Sequence, residues 1–334
     1  MTAVPHDSAS VAAADSIDAK ERFKAEAYRA KREIDKILDM RDSRARSSID
    51  SAYLERVPQR LRFKLTLNVS GSDIDTRGVN EDGKFTTEMK AQNKYTVSLS
   101  ASYRGLSLSV ALNPAHLAGK KKDYELNMNA YGNRLGADVI FHSSKTFEGS
   151  VHTSHGDTGI PAGMISQNML TLNAYYALNG RRFSYPAAFS QSWLQKRSCG
   201  SLMFGVSFMG GVLKVRHDDV IGNPESRLSI ACAGIGVGYG YNLVLRHGWL
   251  IHLSALPELV VYSRCRITSA GSRTKMPYRF PDIIAVGRMA VVRHFGRYFA
   301  GFTTVVNTSQ LGDRDILLLS NTKWRARMFF GIKI

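Results

Sequence analysis

Between residues 93 and 113 apolar and small polar side chains alternate on both sides of one tight turn. Tyr95, Val97, Leu99, Ala101 and Tyr103 share one face, while Thr96, Ser98, Ser100 and Ser102 share the other. After Arg104-Gly105 the rhythm resumes, with Leu106, Leu108, Val110 and Leu112 against Ser107, Ser109 and Ala111. A period of two is the mark of strands with one apolar face. The same rhythm predicts a first strand over 61–70, with Phe63, Leu65, Leu67 and Val69 opposed to Arg62, Lys64, Thr66 and Asn68. It predicts a fourth over 124–130 and a long fifth from Leu135, in which Leu135, Ala137, Val139 and Phe141 are in phase with Phe147 and Val151. Further strands are expected at 167–178, 201–214, 227–243, 249–262, 281–293, 297–308 and 319–334.

Connections between these segments alternate in length. Short turns fall at 103–105, 131–133, 242–248 and 294–296, and long links, including the Gly/Asp-rich stretch 71–84 and the basic stretch 113–122, fall between them. Strands of membrane-spanning length with short turns at one end and long loops at the other describe an outer-membrane barrel better than a soluble sandwich. The expected fold is all-β, an antiparallel transmembrane β-barrel of about twelve strands, with fourteen the alternative even count, and an N-terminal helix. The short turns orient it, since they belong on the periplasmic side.

The segment 180–200, GRRFSYPAAFSQSWLQKRSCG, breaks the alternation, being long and aromatic where a short turn is due. A long link in a compact domain carries structure or function. It is expected to fold into the near end of the barrel as a lumen plug, with Phe183, Tyr185 and Phe189 as its contacts. Gly234, Gly236, Gly238 and Gly240 share one strand face and leave room for another backbone. The competing reading of these glycines is a strand bent to close the barrel. Ahead of the barrel, residues 1–16 are Ala/Ser/Asp-rich and expected to be disordered. Residues 17–45 are expected to form a periplasmic helix, with Phe23, Ala27, Ala30, Ile34, Ile37 and Leu38 on a weak stripe. It would plug the lumen, bind a partner, or lie solvated. The barrel occupies 46–334.

Composition narrows the class. No run of about eighteen apolar residues exists to form a transmembrane helix. The hydrophobic fraction, 44%, and the mean hydropathy of -0.19 are those of a chain in which every second strand residue is polar. A net charge of +17 invites nucleic-acid binding, yet the basic residues are scattered and no recognised nucleic-acid motif is present. No nucleic-acid partner is therefore expected; lipopolysaccharide and lipid headgroups would meet the same charge. Cys199, Cys232 and Cys265 are odd in number and lack metal spacing, so they read as isolated small apolar residues, and neither metal nor cofactor is expected. An exported barrel calls for an apolar leader, which the first twenty residues do not contain. The sequence upstream of the recorded start is expected to encode one.

Four segments, IDSAYLERVPQRLRFKL, SYRGLSLSVALNP, YELNMNAYGNRLGADV and FSYPAAFSQSWLQKRSCGS, resemble a domain-of-unknown-function family of Bacteroidota, predicted to be outer-membrane barrels. The resemblance runs from about Ile49 to the C-terminus. It implies location and architecture but no activity. Two features depart from the pattern: the missing leader, and a chain end at Ile334 with Phe329 and Phe330 as the nearest aromatics.

Candidate chemistry lies on the inward face. Arg62, Lys64, Arg104, Arg288, Lys323, Arg325 and Arg327 would form a basic lumen cluster, with Arg62 and Lys64 on the first strand beside Arg325 and Arg327 on the last. Such a seam attracts anionic solutes, or it pairs with inward acids such as Glu125 and Asp138. Asp138 and His142 share strand parity and are the weak enzyme candidates; His152, His155 and Asp157 form a loose loop cluster. No nucleophile-elbow, zinc-protease or phosphate-loop motif occurs. Three functions follow in order: a structural or binding protein of the cell envelope with periplasmic or envelope partners, a narrow pore for small anions, and a lipid-active enzyme.

Overall fold

The structure, a computed structural model, describes residues 48–57, 61–80, 83–103, 106–112, 124–216, 226–269, 271–276, 280–313 and 315–334, together with 28, 29, 32, 33, 36 and 40. The chain divides into two compact units, 1–49 and 50–334. In the first, Tyr28, Arg29, Arg32, Glu33, Lys36 and Met40 are helical and exposed, and Lys36 Nζ donates to Glu33 Oε1 at 3.1 Å one turn away. The expected disorder of 1–16 and the apolar stripe named above lie outside the described residues.

The second unit begins with a short strand, β1 (Leu54–Arg56). β2 (Leu61–Asn80), β3 (Gly83–Ala91), β4 (Lys94–Tyr103), β5 (Leu106–Leu112), β6 (Tyr124–Tyr131), β7 (Leu135–Thr153) and β8 (Gly156–Ala177) follow. A one-turn helix, α1 (Tyr185–Phe189), and β9 (Trp193–Gln195) come next. Then come β10 (Cys199–Val215), β11 (Ser226–Leu245), β12 (Trp249–Ser263), β13 (Arg266–Ser269) and β14 (Ser272–Lys275). The last three are β15 (Ile283–Phe295), β16 (Tyr298–Asp313) and β17 (Leu317–Lys333). Ten strands, β2, β3, β7, β8, β10, β11, β12, β15, β16 and β17, bond into a closed antiparallel ring. Closure joins the first long strand to the last, with Arg62 opposite Lys333 and Gly78 opposite Leu317. At the seam's end the Ile334 amide donates to Leu61 O at 2.9 Å.

The wall differs along its height. β2 pairs with β3 over its far half and with β4 over its near half, the end of the short turns. β3 pairs directly with β7, but at the near end β4, β5 and β6 stand in its place, with β5 on β4 and β6 on β7. A section there crosses the ten ring strands less β3 plus those three, which is twelve. The expected count of about twelve thus describes the near end, and ten describes the closed ring. Among the described residues no pairing joins β5 to β6.

Two strand expectations need correction. The stretch 71–84 holds the far half of β2 and the first residues of β3, with Asn80 opposite Gly83, rather than the start of a long loop. Outward Asp73, Asp75 and Arg77 are charged, so the apolar half of the alternation is missing there even though Ile74 still points inward. Phe147 is fully buried and not in phase with Phe141, because the β7–β8 register shifts between Ser144 and Phe147 and again between Phe147 and Gly149. An irregularity of this kind turns a side chain to the opposite face.

Burial sorts the side chains. Outward residues of the near and middle wall are exposed and apolar, among them Leu65, Leu99, Leu126, Phe204, Ile235, Leu253 and Met328. Aromatics border this belt: Trp249, Phe295, Tyr298 and Phe330 toward the short turns, and Tyr95, Tyr124 and Tyr262 at the other margin. Phe295, Tyr298 and Phe330 stack on one another, with ring centroids 5.8 to 6.4 Å apart. Inside the far half, Ile74, Met89, Phe147, Met164, Met169, Met209, Met276 and Leu311 belong to one apolar cluster, which also contains Cys232 and Cys265. All three cysteines are free.

Candidate functional site in the lumen

The near end of the lumen is filled by 180–195. Ser184 starts α1 by accepting the Ala187 amide at 3.2 Å, and Pro186 suits the first turn, where no intrahelical donor is needed. All five residues of α1 are buried. Tyr185 lies 4.5 Å from the Tyr175 ring and 4.9 Å from His252, while Phe189 meets Tyr131 at 5.6 Å. β1 pairs with β9 below this helix, and the incoming turn is tied to the same segment: Arg182 Nε donates to Asp50 Oδ2 at 2.9 Å. The Arg182 hydrogen bond, then that of the Ala52 amide, holds the Asp50 carboxyl below its ordinary value of 3.8.

A continuous polar array fixes the plug to the wall. Tyr185 Oη donates to Ser254 Oγ at 2.8 Å, and Ser254 Oγ lies 3.0 Å from His252 Nε2. His252 Nδ1 is 2.7 Å from Asn242 Oδ1, and Asn242 Nδ2 donates to Ser184 O at 2.9 Å and to Gln195 Oε1 at 3.0 Å. Those two acceptors set the amide orientation, which makes Nδ1 the protonated nitrogen and leaves the Nε2 lone pair facing Ser254. Nucleophile, base and orienter therefore stand in hydrogen-bonded order. The Tyr185 hydroxyl fills the position beside Ser254 that a reacting atom would need, so in this arrangement the array is a latch. None of Ser254, His252 and Asn242 was singled out from the sequence. Strand parity was the available signal, because His252, Ser254 and Glu258 interrupt the inward series Leu250, Leu256, Val260.

Of the four glycines assigned to plug contact, only Gly240 fits that assignment: a Cβ there would lie 3.1 Å from Phe183. The space beside Gly234 and Gly236 is taken by Glu258, and that beside Gly238 by Leu256, both from the neighbouring β12. Gly236 admits no Cβ, which would stand 2.0 Å from Pro257 O. These glycines let adjacent strands and their side chains approach closely at a curved wall.

Above the plug lies a charged layer. Arg288 pairs with Asp138, which also accepts from Tyr131 Oη at 2.6 Å, and the Arg288 guanidinium lies 5.7 Å from the Tyr185 ring centre. Lys323 donates to Glu125 at 2.8 Å, and Ser70 and Asn127 donate to the same carboxylate. Arg62 donates to the backbone carbonyls of Ser190 and Gln191, so it serves the plug. Lys64 sits over the Phe329 ring at 5.2 Å. Arg62 and Lys64 face Lys333 and Gly331 across the seam, whereas Arg325 and Arg327 face Ser70 and Asn68. The predicted cluster is therefore offset along β2 and β17, with Lys64 and Arg327 still near enough to repel one another. Arg104 lies outside the described residues.

The enzyme candidates are not brought together. Asp138 is engaged by Arg288 and Tyr131, whereas His142 Nε2 meets Gln167 Oε1 at 3.1 Å in a chain that runs on through Gln167 Nε2 to Asn321 Oδ1 at 3.2 Å. At the β7–β8 turn His152 pairs with Asp157 at 2.8 Å on the exposed surface. Among the described residues no group of three His, Cys, Asp or Glu is placed to hold a metal.

A closed antiparallel ring with an apolar outer belt, a polar interior and an inward-folded link defines a plugged β-barrel. Residues 48–333 match the family described as a domain of unknown function, DUF4421, and the chain belongs to that family. No curated protein matches it. Among solved structures the chain is similar to the outer membrane protease OmpT from Escherichia coli, at 8% identity and a TM-score of 0.43, covering 84% of this chain and 98% of that one. It is similar to the outer membrane protein OprG from Pseudomonas aeruginosa, at 9% and 0.29, covering 83% and 97%. It is also similar to the toluene transporter TodX of P. putida, at 10% and 0.27, covering 83% and 91%.

Proposed function

We infer that this chain is an outer-membrane β-barrel whose lumen is closed, acting as a structural or binding protein of the cell envelope. The observation that carries this reading is the filling of the lumen: α1 below, ion pairs in the middle, and a methionine-rich apolar cluster above. The outer wall supports the membrane setting. Trp249 and Tyr262 bound the belt on β12, about 40 Å apart along a strand, which at the usual barrel tilt spans about 30 Å, the depth of a hydrocarbon core. Lipid and lipopolysaccharide then meet the belt and the exposed Arg216, Arg264, Arg266 and Arg273 at its far end, and the β1–β9 platform faces the periplasm, where an envelope partner would reach it.

Conductance tests the closed lumen. Purified protein in a planar bilayer is expected to pass no steady current, and a steady anion-selective current would replace this reading with that of a narrow pore. The Ser254–His252–Asn242 order supports a second reading, an acyl-transfer enzyme masked by Tyr185. A fluorophosphonate probe is expected to leave Ser254 unlabelled both in the native chain and in a Tyr185→Gly/Phe189→Gly variant. Labelling of that variant which vanishes on His252→Ala would establish the enzyme instead.

A further inference from the structure

We propose that the lumen holds one small monovalent anion, of the size and charge of chloride, beside Arg325. The argument starts from a census of charge. In the layer above the plug Arg288 is matched by Asp138 and Lys323 by Glu125. Arg325 and Arg327 are two residues apart on β17 and so turn to the same side of the wall. Among the described residues neither is in an ion pair, the nearby Asp138 and Glu125 carboxylates being already held by Arg288 and Lys323. The remaining inward acid of this region, Glu258, is on β12 against Gly205, Gly234 and Gly236, separated from β17 by β15 and β16.

Arg325 is only 7% exposed, yet its Nε and Nη1 donate to nothing, and neither does Nε of Arg327. A buried, uncompensated guanidinium costs several kcal/mol, and the cost falls when a counter-charge is supplied. Room for one exists. A void of about 10 Å³ is lined by Arg325, Lys323, Asn127, Asn307 and Glu125, with Ile140, Val305 and Trp324 completing it. That space is at the lower limit for one water-sized atom, so a halide enters only with a small outward shift of the lining, and phosphate or a carboxylate would need a far larger one.

The donors on its rim favour an anion. Asn307 spends its carbonyl oxygen on Asn173 Nδ2 at 2.9 Å, which leaves its own amide hydrogens free to turn inward. Lys323 keeps protons beyond the one given to Glu125. The Glu125 carboxylate opposes an anion, but Lys323, Ser70 and Asn127 already bind it. A water would bridge Arg325 to the orphaned Asn127 Oδ1 equally well in geometry, but it would leave both arginine charges uncancelled.

The experiment compares anions at fixed ionic strength, so that general screening is constant. Full-length protein in lipid is unfolded thermally in sodium chloride, bromide, phosphate and gluconate. Chloride and bromide are expected to raise the midpoint saturably, with no effect from gluconate or phosphate, and a bromide-soaked crystal is expected to show an anomalous peak at Arg325. Arg325→Met removes the uncompensated charge: it is expected to be more stable than the native chain in gluconate and to have lost its halide response. Asn307→Leu, which keeps the charge, is expected to weaken half-saturation by tenfold or more. Equal midpoints in all four salts would show that water alone fills the void. A response to phosphate, or one that persists in Arg325→Met, would place the effect elsewhere; each of these results overturns the site.

Discussion

Asp138 illustrates how one inward position acquires a role from its neighbours. On β7 it is one polar residue in an alternating strand, but the sheet brings Arg288 from β15, 150 residues away, to its carboxylate, and Tyr131 caps the other oxygen. The Asp138 and Arg288 side chains are almost fully buried, 3% and 1% exposed. Removing one partner of such a pair leaves a stranded charge, so Arg288→Met is expected to lower unfolding stability by about 3–5 kcal/mol. Adding Asp138→Asn should recover part of that loss, because the second change removes the orphan. Denaturant unfolding in vesicles measures both; equal stability of the single and double variants would mean that the pair is not coupled. Which residues point inward was legible from parity alone. Which of them pair was not, since a partner five strands away around the ring leaves no trace in local spacing.

Element by element, the strands of the membrane belt were the most readable. Segments such as β4, β6 and β12 carry both halves of the alternation, because lipid-facing and lumen-facing surfaces differ in polarity. Legibility fails where that contrast ends. The far half of β2 has polar side chains outward and became invisible as a strand, and the irregularity near Phe147 reversed the phase without any glycine or proline at Ser144 to announce it. The link 180–200 stood out through its length and aromatics. Its latch did not, because Asn242, His252 and Ser254 lie on two different strands that meet only through the β11–β12 register, with Asn242 opposite His252. The glycine series on β11 was read as space for the plug; three of its four members make room for β12.

At the scale of the whole molecule the polarity of the middle wall is inverted relative to a water-soluble domain, with leucine, isoleucine and phenylalanine outside and ion pairs within. Leu253 is 65% exposed in the middle of the belt. In water, Leu253→Arg would change stability by no more than about 0.5 kcal/mol, whereas on a lipid-facing wall it is expected to cost about 2–4 kcal/mol. Unfolding in vesicles reads the difference directly, and an indifferent variant would remove the belt from the bilayer. The sequence by itself determined the fold class, the inward and outward faces and the short-turn end, because a two-residue period and the lengths of turns are local properties of the chain. Only the tertiary structure decided the ten-strand closure, the pairing of Arg288 with Asp138 and Lys323 with Glu125, and the placing of Arg325 and Arg327 outside both ion pairs. Those depend on which distant strands become neighbours when a sheet wraps onto itself, and register across hydrogen-bonded strands is a property of the closed ring rather than of any one segment.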